Sequence, residues 1–277
     1  MPVDARRLIR KMRGGAQAHL LEAADGCYYV VKFSNNPQHR RVLINEWISY
    51  EFLRYLGLAA PTSALVQITP DFLRDNPNTA MQLGNRIIPA AAGWHFGSRF
   101  PGDPARTVVY DFLPDALLNK VENLPDFLGT LVFDQWIGNA DSRQAIFFRA
   151  RLKEWLSPNE AHAERLGFVA QMVDHGYAFE GPHWKLHDAP LHGLYHRPSV
   201  YEKVRGLDDF QPWLDRIVHF PEEIVDRAIR QIPAAWFEGD EDELNALLER
   251  LLRRRRRVPD LLEACRNARS GLFPNWK

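Results

Sequence analysis

GGAQAHLLEAADGCYYVVKF, residues Gly14 to Phe33, is the most informative segment for the fold class. Two apolar runs, HLLEA and YYVVKF, flank the pair Asp25-Gly26, a combination typical of a tight turn between paired strands. Aromatic and β-branched residues fill the second run, as expected for a strand. The segment therefore predicts a glycine-rich entry followed by a β-hairpin whose second strand ends near Lys32.

The next segment, RRVLINEWISYEFLRYLGL, predicts a long helix. Its apolar residues recur with helical spacing and a glycine follows them, which is a common helix end. The apolar positions are Leu43, Ile44, Trp47, Ile48, Phe52, Leu53 and Leu56. Further strands joined by a polar loop are expected from Pro61 to Gly93, because prolines and glycines punctuate short apolar runs there. We expect GWHFGSRFPGDPART, residues 93–107, to be a loop, because it has no periodicity and many turn-forming residues.

Beyond Tyr110 the sequence becomes mainly helical. LPDFLGTLVFDQWIGN predicts a helix, and AIFFRARL and GFVAQMVDHGYAF predict short strands on either side of a charged insert, Lys153 to Arg165. Further helices are expected at residues 208–219, 222–231 and 241–252. The pattern predicts an α+β protein of two lobes, a β-rich N-lobe at residues 1–110 and a helical C-lobe at residues 111–277.

Composition restricts the class of protein and its partners. The chain has 277 residues, of which 45% are apolar, enough for a substantial core. Its 35 basic residues balance its 35 acidic residues, so overall charge does not favour nucleic acid or a membrane as the main partner. The sequence shows no signal peptide or membrane span, and Cys27 and Cys265 have no metal-ligand spacing, so we expect a cytoplasmic protein.

Four features supply the kinds of group that phosphoryl transfer from ATP needs. They are a glycine pair, a lysine at the end of a strand, a glutamate in the next helix and two separated aspartates. Gly14-Gly15 is either a flexible join or a phosphate-binding loop. Lys32 is either a solvated charge or a buried cation that needs a partner, and Glu46, among apolar helix residues, is the natural partner.

The two aspartates occupy different contexts. Asp141 lies in WIGNADSRQAIFF, between a predicted helix and a predicted strand, which suits a catalytic loop. A simple turn built from Asn139, Asp141 and Ser142 is the alternative. Asp174 follows the apolar run FVAQMV, and a carboxylate at the end of a buried strand suits Mg²⁺ binding.

These segments together resemble the HipA-like kinases, which are relatives of protein kinases and phosphatidylinositol kinases. The matching segments are GGAQAHLLEAADGCYYVVKF, NEWISYEFLRYLGLAAP, FDQWIGNADSRQAIFF and MVDHGYAF, with an IP-x-x-W segment near residues 232–236. The resemblance implies a protein-kinase-like fold with ATP and Mg²⁺ as cofactors. It further implies that Lys32 contacts the ATP phosphates and pairs with Glu46, that Asp141 is the catalytic base and that Asp174 binds Mg²⁺. The loop of Gly14, Gly15, Ala16 and Gln17 is expected to cover the phosphates.

One position departs from the family pattern. An asparagine that holds a second metal usually follows the catalytic aspartate by five positions, but here that position is Ile146. Gln144 or Asn139 is expected to supply an amide oxygen instead. Arg143 also lies one position later than in the common Asp-Arg form, and either a phosphate or the catalytic loop is its expected contact.

The acceptor is expected to be a hydroxyl, and the resemblance implies that of a protein serine or threonine. A small-molecule phosphotransferase and a pseudokinase that regulates a partner are the alternatives, and Ile146 favours the second of these. Nucleic acid is expected to be at most an indirect partner, because the arginine run at residues 253–257 resembles a solvated helix face offset by EGDEDE. The loop containing Trp94, His95, Ser98 and Arg99 is expected to be packed by its aromatic residues rather than to bind substrate.

Overall fold

The structure is a computed structural model and describes residues 2–156 and 164–277. Its strands are β1 (Pro2–Lys11), β2 (His19–Ala23), β3 (Tyr28–Lys32), β4 (Ser63–Ile68), β5 (Ala80–Leu83), β6 (Arg86–Pro89), β7 (Gly93–Arg99), β8 (Gln144–Arg151) and β9 (Leu166–Val173). Its helices are α1 (Arg41–Leu56), α2 (Pro70–Asp75), α3 (Asp115–Leu118), α4 (Asp126–Ile137), α5 (Pro198–Tyr201), α6 (Trp213–Val218), α7 (Glu222–Arg230), α8 (Ala234–Phe237), α9 (Glu241–Arg254) and α10 (Val258–Ala268). Residues 157–163 of the predicted charged insert lie outside the described residues.

The N-terminal part is a small barrel with strand order β1-β2-β3-β7-β4, closed by parallel pairing of β1 with β4. The predicted hairpin is confirmed, since β2 and β3 pair antiparallel with Leu21 opposite Tyr29. Gly26 supplies the turn with a φ of 76°, a left-handed conformation that glycine adopts without a steric cost. The hairpin therefore delivers Lys32 to the end of a barrel strand.

Helix α1 lies between the barrel and the helices of the C-terminal part, and its prediction is confirmed. It ends where Gly57 adopts a φ of 72° and donates its backbone N–H to the carbonyl of Arg54. Its apolar residues join one core with those of the C-terminal part. Several polar side chains of α1 are also buried, namely Asn45, Glu46, Ser49 and Glu51. A helix buried on several sides brings these polar groups into the interior, where each needs a partner.

Strand β7 differs from the expectation, and no expectation covered β1. The predicted loop at residues 93–107 is wrong over Gly93–Arg99, which form β7, the strand between β3 and β4. Its middle is buried on both sides, so apolar and polar residues do not alternate along it. At Gly97 an added Cβ would lie 2.5 Å from Cγ2 of Val66, which explains a glycine within a strand. The basic N-terminus also forms a full strand, β1, whose apolar residues Val3, Ala5 and Leu8 pack inward.

The C-terminal part is mainly helical, and α4 lies within it against α6 and α10. Strands β8 and β9 form a separate antiparallel pair, as predicted. One face of this pair joins the core through Ala145, Phe147, Ala170 and Met172. The opposite face carries Gln144 beside Val173 and Ile146 beside Gln171. Within residues 2–156 and 164–277, no helix has the length and apolar character that crossing a membrane requires.

Candidate active site

Lys32 forms the centre of a buried charged cluster. Its Nζ donates to Oε1 of Glu46 on α1 and, at 2.7 Å, to Oδ1 of Asp174 directly after β9. Lys32 is 8% exposed and Glu46 3% exposed, whereas the Asp174 side chain is 39% exposed. The structure therefore brings together three of the residues predicted from the sequence, and one of them reaches the surface.

Opposing effects set the charge state of this cluster. Burial alone would lower the pKa of Lys32, but the carboxylates of Glu46 and Asp174 outweigh it and raise that pKa above its ordinary value. Burial would likewise raise the pKa of Asp174, but Lys32 outweighs it and holds that pKa below its ordinary value. Lys32 is thus a permanent cation beside an ionised aspartate at neutral pH.

The backbone at Asp174 is unusual. Asp174 has a φ of 59°, a left-handed conformation that is uncommon for a residue other than glycine. The next residue, His175, donates its backbone N–H to Oε1 of Glu46 at 3.0 Å. Glu46 therefore fixes Lys32 with its carboxylate and also holds the chain that carries Asp174.

Asp141 lies in an exposed loop directly after α4. Gly138 ends the helix with a φ of 61°, and Oδ1 of Asn139 accepts the backbone N–H of Asp141 at 3.2 Å. The carboxylate of Asp141 accepts hydrogen bonds from the backbone N–H of Ser142 at 2.8 Å and from Nε2 of Gln144 at 3.2 Å. The turn that the sequence left as an alternative is present, and it orients an exposed carboxylate.

Arg143 and Asp134 form a fully buried ion pair beneath this loop, with exposures of 1% and 0% for their side chains. Nε of Arg143 donates to Oδ2 of Asp134 at 2.7 Å, and a second bond joins Nη2 to Oδ1. Arg143 also donates to the carbonyl of Val173 at 2.9 Å and, at 3.1 Å, to Nδ1 of His175. The guanidinium of Arg143 therefore joins α4 to the chain around Asp174.

His175 is neutral in this arrangement. Burial and the neighbouring guanidinium of Arg143 hold its pKa well below the ordinary value. Its Nδ1 accepts from Arg143, so the hydrogen is on Nε2, which lies 3.2 Å from the carbonyl of Met172. The ion pair and this imidazole connect the loop of Asp141 to the chain around Asp174.

Asp134 was not identified from the sequence. A signal was present, since Asp134 lies among Val132, Phe133, Trp136 and Ile137 in an otherwise apolar helix. A carboxylate in such a setting needs a buried cation or several donors. The sequence indicates the need for a partner but does not identify Arg143, which lies beyond the helix end.

The two candidate amide ligands occupy different environments. Asn139 is fully buried, and its amide is engaged by Oδ1 of Asp134 at 3.1 Å and by the backbone of Asp141. Gln144 is exposed at the start of β8 and contacts Asp141. Ile146 lies within β8 opposite Gln171. The position five residues after Asp141 is therefore part of a strand ladder.

The glycine-rich loop between β1 and β2 has a special backbone. Gly14 has a φ of 117° and Gln17 a φ of 47°, and the N–H of Gln17 donates to the carbonyl of Gly14 at 3.1 Å. The side chain of Gln17 exchanges two hydrogen bonds of 2.6 Å with the backbone of Gln82 in β5. Ala16 is buried, whereas Gly14 and Gly15 are exposed. The loop is thus tied to the β5-β6 hairpin, and its glycines present their backbone to solvent.

The other segments of interest are mainly structural. Nε1 of Trp236, in the IP-x-x-W segment, donates to the carbonyl of Trp94 at 2.9 Å. In the arginine run, Arg254 is 6% exposed and pairs with Asp188, so the expected solvated face is wrong at this position. Within the described ranges, no three His, Cys, Asp or Glu side chains are placed to share a metal ion.

Comparison with known proteins gives one family and several similar structures. The model of the HipA-like kinase family matches residues 6–267. A crystal structure of the Golgi casein kinase has a TM-score of 0.50 and 13% identity, over 96% of this chain and 75% of that chain. The structure of hydra Fam20 with sugar has a TM-score of 0.50 and 15% identity, over 96% and 85% of the two chains. The Golgi casein kinase with Mn/ADP bound has a TM-score of 0.49 and 13% identity, over 96% and 73%.

No curated protein matches the chain. At identities of 13% and 15%, likeness to solved structures bears on the fold alone. It confirms the expected two-lobed, protein-kinase-like α+β fold, in which the barrel with α1 is the β-rich part and the remainder is mainly helical.

Proposed function

The chain belongs to the HipA-like kinase family, and we propose that it transfers the γ-phosphoryl group of ATP, with Mg²⁺, to a hydroxyl acceptor. We further propose that the acceptor is a protein serine or threonine and that the protein acts in the cytoplasm. The observation that carries the proposal is the buried contact of Lys32 with both Glu46 and Asp174, together with the exposed loop of Asp141, which Arg143 ties to Val173 directly before Asp174. The lobes are proposed to divide near residue 110.

Lys32 neutralises negative charge on the ATP phosphates. Its cationic form is stabilised by two carboxylates, and Glu46 holds it at the end of β3. A fixed cation in a partly buried site stabilises developing charge without reorganising during the reaction. The exposed backbone of Gly14 and Gly15 covers the phosphates, because chain without Cβ atoms lets N–H groups approach the oxygens closely.

The metal-binding residues are Asp174 and Gln144. Mg²⁺ is commonly held by one or two carboxylates together with substrate phosphates, so a site without a dedicated cluster of protein ligands fits its chemistry. One oxygen of Asp174 contacts Lys32, and the 39% exposed side chain leaves the carboxylate accessible. Gln144 is exposed, whereas the amide of Asn139 is occupied, which favours Gln144 as the amide ligand. When bound, the metal neutralises phosphate charge and orients the transferred group.

Asp141 accepts the proton of the attacking hydroxyl. Hydrogen bonds from Ser142 and Gln144 fix its carboxylate, and its position on an exposed loop leaves room for an acceptor. A base that is oriented before the acceptor arrives accepts the hydroxyl proton without first having to reorganise. The ion pair of Arg143 with Asp134 supports this loop from below.

A transfer assay with labelled ATP and Mg²⁺ tests the proposal. Asp141→Asn and Asp174→Asn are expected to reduce phosphoryl transfer by about 10²–10⁴-fold, the usual loss for a general base or an electrostatic group. Asp226→Asn is the matched control, because Asp226 is an exposed carboxylate on α7 outside the site. Labelled phosphoserine or phosphothreonine supports the protein acceptor, and label in small alcohols alone contradicts it.

Ile146 favours the pseudokinase alternative. Nucleotide binding measured beside phosphoryl transfer distinguishes a pseudokinase from an active kinase. ATP with Mg²⁺ is expected to raise the Tm of the wild type by mass action. A Tm increase without transfer, equal in the wild type and Asp141→Asn, assigns the protein as a nucleotide-binding module and removes the catalytic proposal. Gln144→Leu is expected to raise the Mg²⁺ concentration needed for half of the Tm increase, whereas Ile146→Val is not. An unchanged Mg²⁺ requirement in Gln144→Leu removes Gln144 from the metal site.

A further inference from the structure

Asn45, directly before Glu46 on α1, forms a buried hydrogen-bonded hub. It is 0% exposed, and its Nδ2 donates to the carbonyls of Gly176 at 2.8 Å, Ala178 at 2.9 Å and Gly181 at 3.0 Å. Its Oδ1 accepts from Nε1 of Trp184 at 2.8 Å. The two hydrogens of Nδ2 are shared among the three carbonyls, so a single amide contacts groups from four residues of one segment, residues 174–184, which we call the post-β9 segment.

The post-β9 segment cannot satisfy these groups by itself, because its backbone is irregular. Residues with left-handed backbone are Asp174 (φ 59°), Phe179 (φ 58°), Glu180 (φ 61°), Gly181 (φ 65°) and Trp184 (φ 53°). A left-handed conformation is sterically unfavourable for each of these residues other than glycine. Such strain persists only where surrounding contacts determine the conformation. The amide of Asn45 supplies such contacts, since no regular ladder pairs these carbonyls.

Two adjacent residues of α1 hold the two ends of this segment. Glu46 accepts the N–H of His175 at the start, and Asn45 binds the chain from Gly176 to Trp184. Arg41, one turn earlier on α1, lies 4.3 Å from the centre of the Trp184 ring and donates to the carbonyl of Pro182 at 3.0 Å. A displacement of α1 would break these bonds together with the contact between Glu46 and Lys32.

We propose that Asn45 is a positioning residue that keeps α1 seated on the post-β9 segment, so that Lys32, Glu46 and Asp174 are assembled before nucleotide binds. This role rests on the proposed kinase function. It makes the site competent without a separate activating event, because the contact that seats α1 is a buried amide and not a modified or ligand-dependent group. Asn45 touches neither the phosphates nor the acceptor in this role.

Asn45→Leu tests the proposal, because leucine has a similar size and forms no hydrogen bonds. Ser49→Ala is the matched control, because Ser49 is also fully buried on α1 and its Oγ has no hydrogen-bond partner within the part of the chain that the structure describes. The first measurement is amide hydrogen exchange over residues 174–184 without nucleotide. The N–H of His175 is expected to exchange about tenfold faster in Asn45→Leu and unchanged in Ser49→Ala.

The second measurement is phosphoryl transfer well below the Tm of each variant. Asn45→Leu is expected to lower kcat by about 100-fold, the loss typical of a misplacement near 1 Å, with a smaller change in the KM for ATP. Unchanged exchange at His175 overturns the proposal, and so does faster exchange with an unchanged kcat. If Asn45→Leu does not fold, Trp184→Phe removes the bond to Oδ1 of Asn45 while keeping an aromatic ring beside Arg41, and it is expected to give smaller changes in the same directions.

The exchange measurement also separates this proposal from the proposed function. If the wild type transfers no phosphate, the kinase function fails. Faster exchange at His175 in Asn45→Leu then still supports the seating of α1 by Asn45, and unchanged exchange still overturns it.

Discussion

Replacing Arg143 by methionine is expected to destabilise the protein strongly, because it leaves the carboxylate of Asp134 buried without its cation. The pair is inaccessible to solvent, and Arg143 also bonds the carbonyl of Val173 and the imidazole of His175. Among the described residues, Asn139 is the side chain that still donates to Asp134 in the variant. Removing one partner of a buried pair costs about 3–5 kcal/mol, more than an exposed pair contributes.

The expected change in Tm follows from the size of the protein. An unfolding entropy of about 2.1 cal/mol/K per residue gives about 0.6 kcal/mol/K for 277 residues. The loss of about 3–5 kcal/mol therefore lowers the Tm by about 5–9 °C. Asp134→Asn is the suitable partner variant because it keeps the shape of the side chain. Space is limited there, since a Cβ added to Gly193 would lie 2.0 Å from Cβ of Asp134.

The loss of stability in Arg143→Met also has a defined pH dependence. Burial raises the pKa of Asp134 above its ordinary value, although Arg143 opposes this. Without Arg143 the pKa rises further, so the folded variant binds a proton more tightly than the unfolded chain does. Its stability relative to the wild type then increases as the pH falls through that raised pKa and is lowest at neutral pH and above.

The interaction energy of this pair is measured by urea unfolding of four proteins: the wild type, both single variants and the double variant Asp134→Asn/Arg143→Met. The double variant is expected to be more stable than the sum of the single losses predicts, because it contains no unpaired buried charge. The reasoning would be refuted if the stability losses of the two single variants summed to the loss of the double variant within about 0.5 kcal/mol. A Tm decrease for Arg143→Met that grows as the pH falls would refute the assigned sign.

Two further variants test the packing and protonation of other parts of the molecule. Burial lowers the pKa of His95 to about 4. Between about pH 6.5 and that value, the unfolded chain takes up a proton at this histidine and the folded protein does not. The free energy of unfolding therefore falls as the pH falls through this window. His95→Gln is expected to flatten this slope in urea unfolding, and His219→Gln, a change at an exposed position, is not; equal slopes for the two variants contradict the assignment. Gly129→Ala is expected to cost about 1–3 kcal/mol by overpacking, because its Cβ would lie 2.4 Å from Cδ2 of Trp213. Thermal unfolding measures this cost beside Gly206→Ala, whose Cβ meets no atom within 4 Å, and equal Tm values for the two variants contradict it.

The elements that could be predicted from the sequence are those with local determinants. The hairpin of β2 and β3 is encoded by Asp25-Gly26 and the flanking apolar runs, and α1 by its apolar spacing and Gly57. Strand β7 could not be predicted in this way, because its partners β3 and β4 lie about 30 to 70 residues away along the chain. His95, Phe96 and Gly97 in its middle are all buried and α1 packs against it, so its residues show neither the alternation of a half-exposed strand nor the spacing of a helix.

The same distinction applies to the candidate site. A lysine, a glutamate and an aspartate in apolar surroundings each need a partner, so Lys32, Glu46 and Asp174 were recognisable one by one and the structure brings them together. Asn45 gave no such signal, because an asparagine is neutral and its need for partners is visible only when its neighbours are known. Its role depends on the carbonyls of a segment about 130 residues later, whose left-handed conformations no local pattern specifies.

The apparent loss of a metal ligand at Ile146 depends on where the strand begins. Counting five positions from Asp141 assumes that the chain is still in a loop there, but β8 starts at Gln144 and Ile146 is already paired with Gln171. Gln144 is the first residue of β8 and directly follows the buried Arg143. The side chain of Gln144 contacts Asp141. Ile146 therefore lies in the strand ladder and Gln144 is the amide side chain beside Asp141, so the Mg²⁺ titration of Gln144→Leu tests whether Gln144 replaces the missing ligand.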